Sequence, residues 1–290
     1  MNFKNIPSAI NEAEDRAARI LSCSRGSRCN LRILIVAAHP DDETLNACAA
    51  MSRAAESTVL FLTDGSPANP QFRAFGDRIS REEYAAMRRK EALTALALMG
   101  ILRKRIIFLD ATDQETIHQL PLLLEKTTEV LRAVRPDAVI THPYEGGHPD
   151  HDVAALIVSA AIENLSVNSK TSPAVFEMTS YHAAEGKCVT NKFLTPQKGN
   201  SSTQEYEIWL SPEERARKEQ MLSCYRSQKA VINYFQVEPE RLRAVPQYDF
   251  RRSPHPGKLW YECLGWPMTG RAWRSQVRKT LLERELKQCA

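Results

Sequence analysis

The seven cysteines of this 290-residue chain (Cys23, Cys29, Cys48, Cys188, Cys224, Cys263 and Cys289) are odd in number and scattered, and they include no Cys-x-x-Cys pair. Neither a disulfide framework nor a cysteine zinc site is therefore expected, and a reducing compartment is favoured. No apolar run is long enough to span a membrane, and residues 1–30 mix charges throughout. The expectation is a soluble protein of the cytoplasm with no signal peptide and no membrane span. Internal repeats and low-complexity tracts are also lacking. Charge of one sign is not in excess, with 39 basic and 35 acidic residues for a net +4. No polyanion-binding surface follows, and no nucleic-acid partner is expected. Only residues 251–290 depart from this balance, with nine Lys or Arg against three Asp or Glu. A solvated basic face is the favoured reading there, ahead of a site for an anionic substrate.

A hydrophobic content of 43% is enough for one large domain. Residues 33–38 are an uninterrupted apolar run, the pattern of a strand buried on both faces of a parallel sheet. Similar runs at 58–62, 106–109, 138–141 and 175–178 leave room for helices between them, which is the βαβ rhythm. Leu120, Leu123, Thr127, Leu131 and Val134 share one helical face. Gly100 stands where a helix C-terminal glycine belongs, and Ser211-Pro212-Glu213-Glu214 reads as a capping box with proline at the first position. Residues 185–204 are polar and read as a long loop. The expected fold is a Rossmann-like α/β three-layer sandwich with a mostly parallel sheet. Its expected divisions are an N-terminal extension (1–30), a catalytic domain (31–235) and a basic C-terminal segment (236–290) packed on that domain.

In such sheets ligands gather beyond the carboxyl ends of the strands. The first run ends in His39-Pro40-Asp41-Asp42-Glu43 and not in Gly-x-Gly-x-x-Gly, so a dinucleotide cofactor is disfavoured. The fourth leads to Gly146-Gly147-His148-Pro149-Asp150-His151-Asp152. A 3-2-1-4-5 strand order makes strands one and four neighbours, with the switch point between these clusters. Two histidines and a carboxylate meeting there form the three-ligand set of a catalytic zinc. Ferrous iron suits the same set.

These motifs resemble the PIG-L/LmbE-like N-acetylglucosaminyl deacetylase family. The Arg88-Arg89-Lys90-Glu91 helix and the later Lys218 with Tyr225-Arg226-Ser227-Gln228 are similar to further family segments. The resemblance covers roughly 31–235. It implies that His39, Asp42 and His151 bind one Zn2+ per chain, that Asp41 is the general base, and that His148 stabilises the oxyanion or protonates the leaving nitrogen. It also implies that Arg88 and Asp113 contact the substrate, a small-molecule amino-sugar conjugate losing an N-acyl, foremost an acetyl, group. Amidase action on a larger glycoside conjugate, or sugar and metal binding without turnover, are the alternatives, and a homo-oligomer is compatible with the sequence.

Each residue also has a structural reading. Asp41 could simply cap the following helix, His148 could support a ligand, and Arg88 could pair with Glu91. Asp64-Gly65 reads equally as a turn or as a ligand-facing element. Glu43 is expected to orient a ligand or loop. His142, His182 and His255 lack a partner pattern. Trp260, Tyr261, Trp266 and Trp273 read as packing residues before stacking platforms. Where some family members carry a tyrosine before the second motif this chain has Gly146, with Tyr144 out of register.

Overall fold

A computed structural model describes residues 15–20, 29–166, 172–194 and 204–288, with the backbone alone described at 166 and 281–288. Residues 33–38 are apolar at every position because both faces of their strand are covered. In β1 (Cys29–Ala37), Ile33, Ile35 and Ala37 enter one hydrophobic core while Leu34 and Val36 enter a second on the opposite face. In β2 (Ala54–Pro67), Val59 and Phe61 face the first core and Leu60 and Leu62 the second. Among the described residues the sheet has seven strands in the order β3-β2-β1-β4-β5-β9-β8. Strands β3 (Ile106–Asp113), β4 (Ala138–Thr141) and β5 (Ala174–Met178) run parallel to β1 and β2, in register pairs such as Val36 with Leu60 and Ile35 with Ile140. The expected 3-2-1-4-5 order is present.

The short α1 (Asp42–Asn46) follows β1; α2 (Cys48–Arg53), α3 (Arg81–Leu98) and α6 (Pro212–Cys224) contribute to the first core, and α4 (Leu120–Val134) and α5 (Pro149–Ser166) to the second. Gly100, with φ +78°, ends α3 in a Schellman arrangement: its N–H donates to Ala97 O at 3.0 Å and that of Ile101 to Leu96 O at 3.1 Å. The capping box at Ser211 and Glu214 is formed.

Three features depart from the sequence reading. The 185–204 loop is partly a hairpin, β6 (Tyr181–Ala184) and β7 (Lys187–Thr190), turned by Glu185 and Gly186, both at positive φ. The strand β7 is half exposed and carries no apolar alternation to announce it. Residues 195–203 of that stretch lie outside the described residues, as do 1–14 and 21–28 of the N-terminal extension. The sheet also continues past residue 235. Strand β9 (Glu240–Ala244) pairs antiparallel with β5, and β8 (Glu205–Ile208) with β9. Finally, β3 runs four residues past the 106–109 apolar run and ends on Asp113.

A short α7 (Lys229–Ile232) precedes β9, and α8 (Trp260–Cys263) and α9 (Gly270–Gln288) follow it. Trp273 and Val277 of α9 belong to the second core. The Trp260 N–H donates to Gly146 O at 2.8 Å and Trp273 Nε1 to Pro149 O at 3.2 Å, so this segment braces the loop that carries His148.

Candidate metal centre

Past its last residue, Ala37, β1 leads to His39, and the backbone then turns sharply. Asp41 has φ 132°, a conformation that costs a non-glycine residue on the order of 1–3 kcal/mol and persists only where surroundings enforce it. Glu43 supplies part of that enforcement: its Oε2 accepts the Asp41 N–H at 3.1 Å, while its Oε1 accepts the hydroxyls of Tyr225 and Thr44. The Asp41 side chain makes no capping bond to α1. Both terminal nitrogens of Arg88 donate to Asp41 Oδ2 at 3.3 Å instead. Glu91, the other partner weighed for Arg88, accepts from Ser227 N (2.9 Å) and Ser227 Oγ (2.6 Å). The two similar motifs thus lock α3 to the metal loop on one side and to the segment after α6 on the other. Asp64 accepts from Ser66 N at 2.9 Å and from Arg81 at 2.5 Å, so Asp64-Gly65 is a turn.

The second motif is fixed by its own backbone. Asp152 Oδ1 accepts the N–H groups of Glu145 (3.2 Å) and Gly146 (3.0 Å). Gly147 packs so tightly that a Cβ there would stand 1.8 Å from Tyr181 O. Helix α5 then presents Asp150, His151 and Asp152 in its first turn.

The structure brings His39, Asp42 and His151 together. His39 Nδ1 is 3.3 Å from Asp42 Oδ2, His151 Nε2 is 3.4 Å from Asp42 Oδ1, and the two nitrogens are 3.3 Å apart. The two nitrogens stand about one tetrahedral edge apart for ligand distances of about 2.0–2.1 Å, and Asp42 reaches each of them through a different oxygen, so the set fits a small divalent cation. Two imidazoles and a carboxylate converging in a buried site also favour a cation between them. The far nitrogens are tied down: His39 Nε2 lies 3.2 Å from Asp150 Oδ2 and His151 Nδ1 lies 2.9 Å from Ser180 Oγ. Such outer partners set the tautomer and aim of a metal-binding histidine. Asp150 is itself held by the N–H groups of Gln114 (2.6 Å) and Thr116 (3.2 Å).

Electrostatics separate the acids. Burial raises Asp42, but His151 and His142 outweigh it and hold the carboxyl well below its usual range. For Asp41 burial wins over the pull of Arg88 and pushes the carboxyl up to about 7. His148 is held well below the ordinary histidine value by burial and by neighbouring His39. Its Nδ1 accepts the Asp150 N–H at 3.1 Å, which leaves the proton on Nε2. Asp113 Oδ1 lies 3.0 Å from His39 Nε2 and 3.5 Å from His148 Nε2.

Sequence reasoning missed His142 and Asp150. His142 is fully buried, its ring stacked on His151 at 3.9 Å, with Nε2 3.2 Å from Asp42 Oδ2. Among the described residues three sets of donors lie close enough to share an ion: His39, His148 and His151; His39, Asp113, His148 and Asp150; and Asp42, His142 and His151. The Ala38 N–H donates to His142 Nε2 at 3.1 Å and occupies that lone pair, which makes His142 a support for the ligands. Its place directly after β4, at the same strand edge as His39, was the available signal. Tyr144 is turned away, its hydroxyl donating to Arg252 O at 2.7 Å and its ring stacked on Trp273.

A family model described as PIG-L, GlcNAc-PI de-N-acetylase, matches residues 34–162. Curated relatives include a mycothiol S-conjugate amidase of Streptomyces coelicolor, 29% identical over a 161-residue alignment that covers 48% of this chain and 54% of that protein. Another, from Bacillus anthracis, is described as a probable N-acetyl-alpha-D-glucosaminyl L-malate deacetylase 2; it is 30% identical over 164 residues, 53% of this chain and 69% of the relative. The match to the first thus spans about half of that relative's length. Among solved structures, a deacetylase of teicoplanin biosynthesis superposes with TM-score 0.58 at 16% identity, covering 75% of this chain and 99% of the other. That likeness shows a shared fold.

Proposed function

The chain belongs to the PIG-L (GlcNAc-PI de-N-acetylase) family, and from that premise we propose that it is a zinc-dependent hydrolase removing an N-acyl group, foremost acetyl, from an amino-sugar-containing small molecule. The observation that carries this reading is the triangle of His39 Nδ1, Asp42 and His151 Nε2 at 3.3–3.4 Å, with the Asp41 carboxylate on the adjoining residue. These three residues would hold the ion. When bound, zinc supplies Lewis acidity that polarises the acyl carbonyl and makes water a stronger acid.

The chain's own groups supply the rest. Asp41, aimed by Arg88, takes a proton from the attacking water as the oxygen adds to the amide carbon. His148, neutral and protonated on Nε2, donates a hydrogen bond to the oxyanion of the tetrahedral intermediate. When the C–N bond breaks, the proton held by Asp41 goes to the departing nitrogen, giving the carboxylate and the free amine. Asp150 and Ser180 keep the two histidines in place throughout, and Asp113 is positioned to accept from a substrate hydroxyl.

The test is acetate release from N-acetylglucosamine conjugates by protein of measured metal content, with and without chelator. Chelator-sensitive release supports the reading. One bound metal per chain with no acetate from any conjugate would contradict it. Because one relative is a mycothiol S-conjugate amidase, release of a larger acid would favour amidase action on a conjugate.

A further inference from the structure

A cavity of about 560 Å³ opens beside the metal donors, between the loop after β2, the turn after β3 and the segment that follows α8. Its size falls within the range of small-molecule sites, about 300–1,000 Å³. Phe72, Trp266 and Met268 form its apolar side, and Asn69, Asp113 and Glu115 its polar side. It reaches the reacting centre from both. Asp113 Oδ1 is 3.0 Å from His39 Nε2, and the Trp266 ring lies edge-on to His148 with centroids 4.7 Å apart. Trp266 is half-buried, and Phe72 stands 5.8 Å behind it at 54°. Trp266 also falls outside residues 34–162, so it belongs to the part of the chain the family model does not match.

The charge of this lining is one-sided. Among the described residues it carries two carboxylates, Asp113 and Glu115, and one histidine, His118, with no lysine or arginine. Two guanidiniums on this side of the sheet are engaged elsewhere: Arg88 holds Asp41 and Arg81 holds Asp64. Among the described residues, the C-terminal segment contributes Trp266, Pro267 and Met268 to the lining and no basic side chain. A phosphate or carboxylate seated here would face like charge without a partner. An aromatic or apolar group would find a flat ring wall.

We infer that the acceptor is a neutral N-acylglucosamine glycoside whose aglycone is aromatic or apolar, stacked on Trp266, and that anionic aglycones are rejected. The acylated amino sugar in this inference rests on the hydrolase reading above; the selectivity of the cavity does not. Loss of a stacking ring of this kind costs about tenfold in affinity.

The experiment is calorimetric binding of 4-nitrophenyl N-acetylglucosaminides, both anomers, and of N-acetylglucosamine 1-phosphate to the zinc-loaded full chain. The nitrophenyl glycoside is expected to bind at least tenfold more tightly than the 1-phosphate. Trp266→Ala should weaken the nitrophenyl glycoside about tenfold while Trp266→Phe keeps most of its affinity, and Glu115→Gln should narrow the gap to the phosphate. Equal or tighter binding of the 1-phosphate, or an unchanged affinity in Trp266→Ala, overturns the inference. Acetate measured in the same samples reports on hydrolysis separately. Aryl preference without any acetate would sink the deacetylase reading and leave the selectivity standing.

Discussion

Replacing Gly65 with alanine should disable the site without replacing any polar group in it. Gly65 has φ +65°, and a Cβ there would lie 2.7 Å from Arg88 Nε, 3.2 Å from its Nη2 and 3.0 Å from Pro40 Cδ. The left-handed backbone alone costs an alanine about 1–2 kcal/mol. Overpacking adds about 1–3 kcal/mol. The first contact is to a side chain, but Arg88 is 2% exposed and has little room to retreat. It must therefore move off Asp41, where its two donors now sit at 3.3 Å. A shift of about 1 Å in a reacting group costs on the order of 100-fold in rate. Urea unfolding should show a loss of about 2–4 kcal/mol, metal content should stay near one per chain, and kcat should fall about 100-fold. A variant with wild-type kcat and an unshifted midpoint would refute the claim that Arg88 is confined here to hold Asp41.

Other perturbations follow from the same contacts. Gly147→Ala would place a methyl 1.8 Å from Tyr181 O, so the His148 loop or β6 must shift, and the melting temperature should fall steeply. Asp150→Asn weakens the grip on His39 Nε2 and should lower zinc affinity about 10- to 100-fold by competition with a chelator. Ser227→Ala removes a 2.6 Å bond to the buried Glu91 carboxylate and should cost about 2 kcal/mol in urea, with little effect if that carboxylate is solvated. Acid stability has a source far from the metal. Burial opposes ionisation of Glu214, but Arg53, the Ser211 N–H and Ser52 outweigh it and bring the carboxyl down to about 2 from an ordinary 4.5. A depressed carboxylate stabilises the fold above its unfolded value and loses that contribution as pH falls through the folded one. Arg53→Met should therefore flatten the stability profile between pH 5 and 2, removing about 2 kcal/mol after allowance for partial solvent exposure.

The parts of the fold visible in the sequence are those where burial leaves an apolar trace. The β1 run from Ile33 to Ala37 is apolar because it has a core on each side, and its end marks the ligand-facing edge at His39. His39, Asp42 and His151 stand out for the same reason, as polar residues packed directly against strand ends. Strand β9, which lies between β5 and β8, did not stand out because its interior is ionic. Lys218 Nζ reaches Glu240 Oε1 at 2.7 Å and Leu45 O at 2.7 Å, and Arg243 bonds Glu177 at 2.7 Å and Glu145 at 3.1 Å. Charges that satisfy one another inside a fold read as surface in a sequence. The Arg243 pair also explains how β9 is coupled to the metal loop, since Glu145 lies three residues before His148. His142 escaped notice because its partners, Ala38 and Asp42, come from the turn after β1, about a hundred residues earlier. The cavity wall escaped for a related reason: Phe72 and Trp266 meet only through tertiary packing.

The central claim is that Asp41 moves the proton beside a metal held by other residues. The direct measurement is acetate release by Asp41→Asn protein whose zinc content has been determined alongside the wild type. The account predicts one zinc per chain in both and a loss of at least about 100-fold in kcat for the variant. Equal turnover at equal zinc content would contradict it.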